Sequence, residues 1–337
     1  MLLVGDIGGT NSTIALVSEK NGTFALRRKE RYATQELDGI DEVINRFQES
    51  AGADWRDISR CCLSAAGPVR DGICRMTNVP FSIDAGRLAE KIQTDTLLIN
   101  DFSAICFALP LLDTHEHIKS IPLPHPDGSH PDPHGPVRAA VGAGTGLGTG
   151  YLIQNGEQFT AFPSEGGHTD FPATDEQSRA FLDYVRSGAD VAPGTEPHLS
   201  GQGIRNAFLF LSNTGRIDAD DTVRAIQNGP SASIPERVAQ LAPEHDGLAA
   251  VMELFVRLYA QYARNTALFL LPRGGLYLAG GIAAKNQTWF TEQNRFMREF
   301  ERNYNEKITP LLRDTPVSII LDYDVSLYGA AHAALCL

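Results

Sequence analysis

Gly5-Asp6-Ile7-Gly8-Gly9-Thr10-Asn11 and Gly142-Ala143-Gly144-Thr145-Gly146-Leu147-Gly148 are two glycine-rich turns in the same local context, and that duplication decides how the chain is read. Leu2-Leu3-Val4 leads into the first turn and Thr13-Ile14-Ala15-Leu16-Val17 leads out, with Asn21-Gly22 as the next bend. Ala139-Ala140-Val141 leads into the second, and Tyr151-Leu152-Ile153 runs on to Asn155-Gly156. Each stretch reads as a hairpin closed by a glycine-rich bend. Without a Cβ, glycine lets backbone N–H groups converge on an anion, so two such bends facing each other make a phosphate cradle. Two ordinary hairpins are the plainer alternative. The repeated context, with Asp6 and Thr10 inside the first bend, favours a nucleotide gripped between two halves.

The commoner nucleotide signatures are absent. A dinucleotide-binding fingerprint needs glycines at relative positions 1, 3 and 6 before a helix, whereas Gly142, Gly144, Gly146 and Gly148 fall on every second residue. No Gly-Lys-Ser or Gly-Lys-Thr occurs, so there is no Walker A loop.

The length of 337 residues suits two domains better than one core. Hydrophobic content of 42% with 21% charged residues marks a globular chain. Lys and Arg total 29 against 41 Asp and Glu, a net charge of -12, which weighs against nucleic acid and anionic membrane as partners. Cys61, Cys62, Cys74, Cys106 and Cys336 show no CxxC spacing and are odd in number, so neither a disulfide framework nor a zinc knuckle is expected. Met1 runs straight into a strand-like stretch without a basic leader, and a cytoplasmic setting is expected. The apolar stretch from Leu248 to Leu271 carries Glu253, Arg257 and Arg264 and stops at Pro272, which reads as a buried amphipathic helix.

The first hundred residues alternate strands and helices: the hairpin 2–17, a strand near 24–32, a helix over 36–51, a strand at 61–65 and a helix over 84–93. Thr96-Leu97-Leu98-Ile99 is a short buried strand with Asn100-Asp101 at its carboxyl end, where open α/β sheets bind ligands. The Pro-, His- and Asp-rich segment 115–136 reads as a surface loop, with His125, His130 and His134 solvated or holding a stray metal. Beyond the second hairpin come helices near 175–187, 201–213 and 246–271, then a strand at 275–279 that ends in Gly280-Gly281. Backbone alone there could lie under an adenine or approach a phosphate, or form a plain strand-helix turn. A strand at 317–321 and an Ala-rich helix over 326–335 close the chain, the helix packing back on the first domain.

Phosphoryl transfer to a hydroxyl requires a cradle for the donor phosphates, a magnesium ion and a carboxylate aligned to accept the hydroxyl proton. Asp101 is the candidate base, beside an Asn100 amide able to orient a hydroxyl; helix N-capping is its structural alternative. Asp6 is placed to hold a magnesium-bound water, or else only stabilises its own bend. Glu165-Gly166-Gly167-His168 has the mixed acceptors and donors that suit a neutral sugar, with glycines that let the loop wrap a ring. A flexible loop is the alternative. Glu196, before Leu199-Ser200-Gly201, adds a second carboxylate if it turns inward.

Asp6-Ile-Gly-Gly-Thr-Asn11, Asn100-Asp-Phe102, Gly142-Ala-Gly-Thr-Gly-Leu-Gly148, Glu165-Gly-Gly-His168, Glu196-Pro-His-Leu-Ser-Gly201 and Ala279-Gly-Gly-Ile282 occur in the order and approximate spacing of the bacterial-type glucokinases. The resemblance covers nearly the whole chain. It implies the α/β fold of the actin-like ATPase (ribonuclease H-like) superfamily, with a small domain of residues 1–110 plus about 323–337, a large domain of 111–322, and a cleft between them. It implies ATP-dependent phosphorylation of the glucose 6-hydroxyl with Mg2+, the alternatives being a kinase for another hexose (fructose, mannose or an N-acetylhexosamine) or a non-catalytic sugar- or nucleotide-responsive switch of the same fold, and we expect a cytoplasmic homodimer. Position by position, Asp101 resembles the catalytic base, and Asn100, Glu165, His168 and Glu196 the sugar ligands. Gly5, Asp6, Ile7, Gly8, Gly9, Thr10 and Asn11 resemble the ATP phosphate loop, Gly144, Thr145 and Gly146 the second phosphate loop, and Gly280-Gly281 the adenosine segment. The zinc cluster of related sugar kinases and repressors is missing, since Asp170-Phe171-Pro172 follows the histidine. Met76-Thr77-Asn78 is similar to a further family motif, but Phe81 stands in place of the expected tryptophan.

Overall fold

The apolar run at Leu2 becomes the central strand of a sheet, β1 (Leu2–Ile7), to which β2 (Asn11–Lys20) and β3 (Thr23–Ala33) add antiparallel. The structure, a computed structural model, describes residues 1–76, 79, 81–187 and 190–336. Helix α1 (Ile40–Ala51) leads to β4 (Arg60–Ala65), which lies parallel to β1. Short antiparallel strands β5 (Val69–Arg70), β6 (Ile73–Arg75) and β7 (Ser82–Asp84) precede α2 (Ala85–Ile92), β8 (Thr96–Asn100) and α3 (Asp101–Leu112). The sheet order is β3-β2-β1-β4-β8, with β8 parallel to β4. Asn78 lies outside the described residues.

Strands β9 (Ser120–Pro122), β10 (Val137–Ala143), β11 (Leu147–Asn155) and β12 (Gln158–Ser164) follow. Next come α4 (Glu176–Arg186), α5 (Gly201–Asn213), α6 (Asp221–Gln227), α7 (Ile234–Leu241) and the long α8 (Asp246–Leu270). Strand β13 (Leu276–Ala279) opens a run of short helices, α9 (Gly281–Lys285), α10 (Gln287–Thr291), α11 (Arg295–Glu301) and α12 (Thr309–Arg313), before β14 (Val317–Ile320) and α13 (Val325–Leu335). The second sheet has the order β12-β11-β10-β13-β14-β9, with β10, β13 and β14 parallel and β9 antiparallel to β14.

The chain divides into two compact units, Met1–Lys119 with Gly150–Pro163 and Asp322–Leu337, and Ser120–Thr149 with Ser164–Leu321. In the first, alternation along β1 and β2 turns Leu3, Ile7, Ile14 and Leu16 toward Val43, Ile44 and Phe47 of α1 and Leu88 of α2. Helix α13 packs against α3 almost backbone to backbone. A Cβ on Gly329 would sit 1.7 Å from the Ala104 carbonyl oxygen, so only glycine fits at that crossing.

The second unit is built around α8. Its fully buried Tyr259 meets Phe255, Phe290 and Phe296, with ring centroids 5.7 to 6.1 Å apart. Among the described residues, no helix is long and apolar enough to cross a membrane.

The segment 115–136 differs from the solvated loop its composition suggests. Ser120–Pro122 pairs with β14, and His115 and His125 are buried. The His125 imidazole spans from Glu301, with Nδ1 2.8 Å from Oε1, to the Thr315 carbonyl, 3.2 Å from Nε2. Glu301 also accepts from Arg313 at 2.7 Å, so the histidine that composition marks as a surface residue is a buried link in a hydrogen-bonded chain. The polarity of the stretch hid this, because its partners come from much later in the chain.

Candidate active site

In the first unit the candidate groups gather at the carboxyl ends of β1, β4 and β8. Gly5 is there for packing: a Cβ would lie 2.7 Å from both Ile14 Cδ1 and Leu63 Cδ2. Ile7 is fully buried in the core. The turn itself closes with the Gly8 N–H donating to the Asn11 carbonyl at 2.9 Å, and the Thr10 carbonyl accepts from Thr34 N–H at 2.9 Å. Asp6 Oδ2 accepts from Ser326 Oγ of α13 at 2.7 Å, while Ser64 Oγ donates to the Gly5 carbonyl at 3.1 Å. Burial raises the Asp6 carboxyl above its ordinary range, against the lowering effect of hydrogen bonds from Ser326 and Ser64.

Asn100, not Asp101, caps α3. Its Oδ1 accepts from Phe102 and Ser103 N–H at 2.9 and 3.4 Å, and its Nδ2 donates to the Gly67 carbonyl at 3.1 Å. Asp101 is thereby set as the first helical residue, with Oδ1 accepting from Phe102 N–H at 2.9 Å. Burial and, second to it, the negative charge of Asp6 push the Asp101 carboxyl up to about 6. The backbone amides and the Asn100 side chain pull the other way. A carboxylate poised there can accept a proton near neutral pH. Asp101 in turn helps to raise the Cys74 thiol, behind burial as the larger cause.

In the second unit the second turn, Glu196, the Glu165–His168 segment and Gly280 come together. Gly144 N–H donates to the Gly146 carbonyl, and Gly201 N–H at the start of α5 donates to the Gly144 carbonyl, both at 2.8 Å. Thr145 is exposed at the tip. Glu196 turns inward, but onto the turn: Oε2 accepts from Leu147 N–H at 2.8 Å, and a Cβ on Gly146 would approach it to 2.6 Å. Gly280 has a φ of 86° and sits so close to the end of β10 that a Cβ would meet the Ala143 carbonyl at 2.7 Å. Gly281 follows as the first residue of α9.

Glu165 precedes a single 3-10 turn, Gly166–His168, and its carboxylate lies 3.8 Å from His168 Nε2, both side chains about three-quarters exposed (74% and 71%). The glycines let this turn press on β11 and α8, since a Cβ on Gly167 would be 2.4 Å from the Leu147 carbonyl and one on Gly166 2.5 Å from Tyr262 Oη. Leu147 therefore touches the Gly166–His168 turn with its carbonyl and holds Glu196 with its amide. Thr195 N–H and Oγ1 both donate to the Thr169 carbonyl, at 2.8 and 3.0 Å, which ties the two segments again.

Several supporting residues carry no local sequence signal. Tyr259 Oη donates to the Val141 carbonyl at 3.0 Å and accepts from Ala143 N–H at 3.2 Å, bracing β10 as it enters the second turn. Tyr262 and Thr149 share a 2.6 Å hydrogen bond under Gly166. His198 is fully buried and stacked on Phe171 at 4.1 Å, with Phe181 edge-on at 5.1 Å. Its Nδ1–H donates to the Gly194 carbonyl at 2.9 Å, while burial drops the ring to about 4, so it is neutral. Residues such as Ser326 were findable only as a serine on an Ala-rich helix.

The Glucokinase family model matches residues 3–336. A glucokinase from Nostoc sp. (strain PCC 7120) is 34% identical over 99% of this chain and 98% of its own length. Among solved structures, a glucokinase from an Antarctic psychrotroph superposes with a TM-score of 0.80 at 22% identity, over 99% of this chain and 98% of that one. A ROK family glucokinase from Streptomyces griseus, in complex with glucose and AMPPNP, superposes with a TM-score of 0.64 at 15% identity, over 99% of both chains. The fold is shared with both.

Proposed function

The chain belongs to the glucokinase family and is an enzyme that phosphorylates glucose, and we propose how its residues carry the ATP-dependent reaction on the actin-like ATPase fold. Asp101 takes the proton of the glucose 6-hydroxyl as that oxygen attacks the terminal phosphorus of ATP; the bond to the bridging oxygen breaks, and glucose 6-phosphate, ADP and a proton are released. The observation that carries this role is the placement of Asp101 as the first residue of α3 at the carboxyl end of β8, relieved of capping by Asn100, with its carboxyl raised to about 6 by burial and by Asp6.

The proposal gives Asn100, Glu165, His168 and Glu196 to the sugar. Asn100 keeps one amide hydrogen beyond its bond to Gly67, and Glu196 keeps Oε1 beyond its bond to Leu147. The first turn, at Gly8, Gly9, Thr10 and Asn11 beyond the strand that packs Gly5 and Ile7, and the second, at Gly144, Thr145 and Gly146, serve the ATP phosphates, and Gly280-Gly281 serves the adenosine. Mg2+ fits the donor set: Asp6 offers hard carboxylate oxygens beside the charge of Asp101, and this cation is held by one or two carboxylates, waters and substrate phosphates. When bound, through water to Asp6, it would neutralise charge on the phosphates.

A cytoplasmic setting is part of the proposal, argued from cysteines without paired spacing. A homodimer is part of the proposal, and light scattering of the eluted protein tests it. A coupled ADP-release assay over a panel of hexoses, with and without magnesium, tests the whole. Glucose should be the preferred acceptor and magnesium required; a different preferred hexose, or equal ADP release without sugar, would overturn it.

A further inference from the structure

We propose that the second unit carries a binding site for a small molecule bearing two anionic groups, of the phosphorylated-metabolite class, in a depression between α8 and α11. The depression has a volume of about 540 Å3, within the range of about 300–1,000 Å3 typical of small-molecule sites. Glu253 and Arg257 reach it from α8. From the facing segment Arg295, Arg298, Glu299 and Arg302 recur at the i, i+3, i+4, i+7 spacing of one helix face. The stripe is the outer face of α11, whose Phe296, Met297 and Phe300 are buried on the other side. Here four arginines face two glutamates across the depression, with Asp175 also on Arg257, in a chain whose net charge is -12.

The guanidinium groups are held ready. Arg257 is fixed by Asp175 and by Gln177 Oε1 at 2.8 Å. Arg295 donates to the Trp289 carbonyl at 3.2 Å, lies over the Trp289 ring at 5.1 Å and stands 3.4 Å from Glu253. Arg302 stands 3.5 Å from Glu299. Arg298 is exposed and, among the described residues, pairs with none. Guanidinium forks match phosphate oxygens two at a time, and their placement on both sides of the depression suits two anionic groups. At its rim Gln293 and Asn294 both adopt left-handed backbone, with φ of 54° and 52°. Non-glycine residues rarely do so in succession, and such strain gathers at ligand clamps.

The probe is inorganic pyrophosphate, titrated calorimetrically into the full chain with glucose and a non-hydrolysable ATP analogue in excess, so that the phosphate turns are occupied. One saturable site is expected, weakening as salt rises. Arg298→Gln, at an exposed residue without a partner, should leave the melting temperature unchanged and weaken binding about tenfold or more, the loss of one charge-assisted contact. Arg302→Gln should do the same. No saturable binding to the wild type, or binding unchanged in both variants, would overturn the site.

Discussion

Glu196 Oε2 accepts the backbone N–H of Leu147 at 2.8 Å, so a carboxylate from a distant segment closes the second glycine turn. The same residue is proposed to bind sugar through its other oxygen, which makes it a joint between the two substrates. Glu196→Ala should therefore raise the KM for glucose and for ATP together, each by about 10-fold to 100-fold, the span for losing a hydrogen bond to a charged group. Glu196→Gln keeps an acceptor for Leu147 and should spare the ATP term more than the glucose term. Steady-state kinetics in both substrates separates these outcomes, and an Ala variant with unchanged ATP KM would remove Glu196 from the turn.

Asp101→Asn should lower turnover about 10²-fold to 10⁴-fold while glucose still binds. It should also make the protein more stable at neutral pH. The folded state raises this carboxyl to about 6 from its ordinary 3.8, so it favours the protonated form. The stabilisation is complete below about pH 4 and is lost as pH rises through 6, leaving an ionised group that costs stability at pH 7. With allowance for partial exposure, Asn should add about 1–2 kcal/mol at pH 7.5 and almost nothing at pH 4. Urea midpoints at the two pH values check this; a variant less stable than wild type at pH 7.5 would contradict it.

Because a base at Asp101, as proposed, must be ionised to act, kcat/KM should fall as pH drops through about 6. Asp6 contributes to that value by its charge, so Asp6→Asn should move the acid limb to lower pH in whatever activity survives. A limb that stays in place or moves upward would separate the two carboxylates. Comparing the profiles on kcat/KM reads the free enzyme, before substrate charge intervenes.

Much of this arrangement was legible in the sequence because it is local. The hairpins around Gly8 and Gly144, the strand ending at Asn100 and the helix over 246–270 each declare themselves through periodicity and turn chemistry within a few residues. What escaped depends on chain distance. Nothing near Glu196 points to Leu147, nothing near Ser326 points to Asp6, and the polarity of the stretch around His125 conceals a partner at Glu301. The capping role at α3 was readable in kind but fell one residue early, on Asn100, which frees the Asp101 carboxylate from that duty.

His198 supplies a test in the acid range. Its ring is lowered to about 4 from 6.5 by burial between Phe171 and Phe181, so the unfolded chain binds a proton between those values and the folded chain does not. Wild-type stability should thus lose up to about 3 kcal/mol from this group as pH falls from 6.5 to 4, and be indifferent to it above 6.5. His198→Phe keeps an aromatic ring in the stack but forfeits the hydrogen bond to the Gly194 carbonyl, a loss of about 1 kcal/mol at pH 7.5. By pH 4.5 the order should reverse, with the variant the more stable protein. Parallel stability curves for the two proteins across that range would show that the buried imidazole does not resist protonation, and that its place beside Gly194 rests on packing alone.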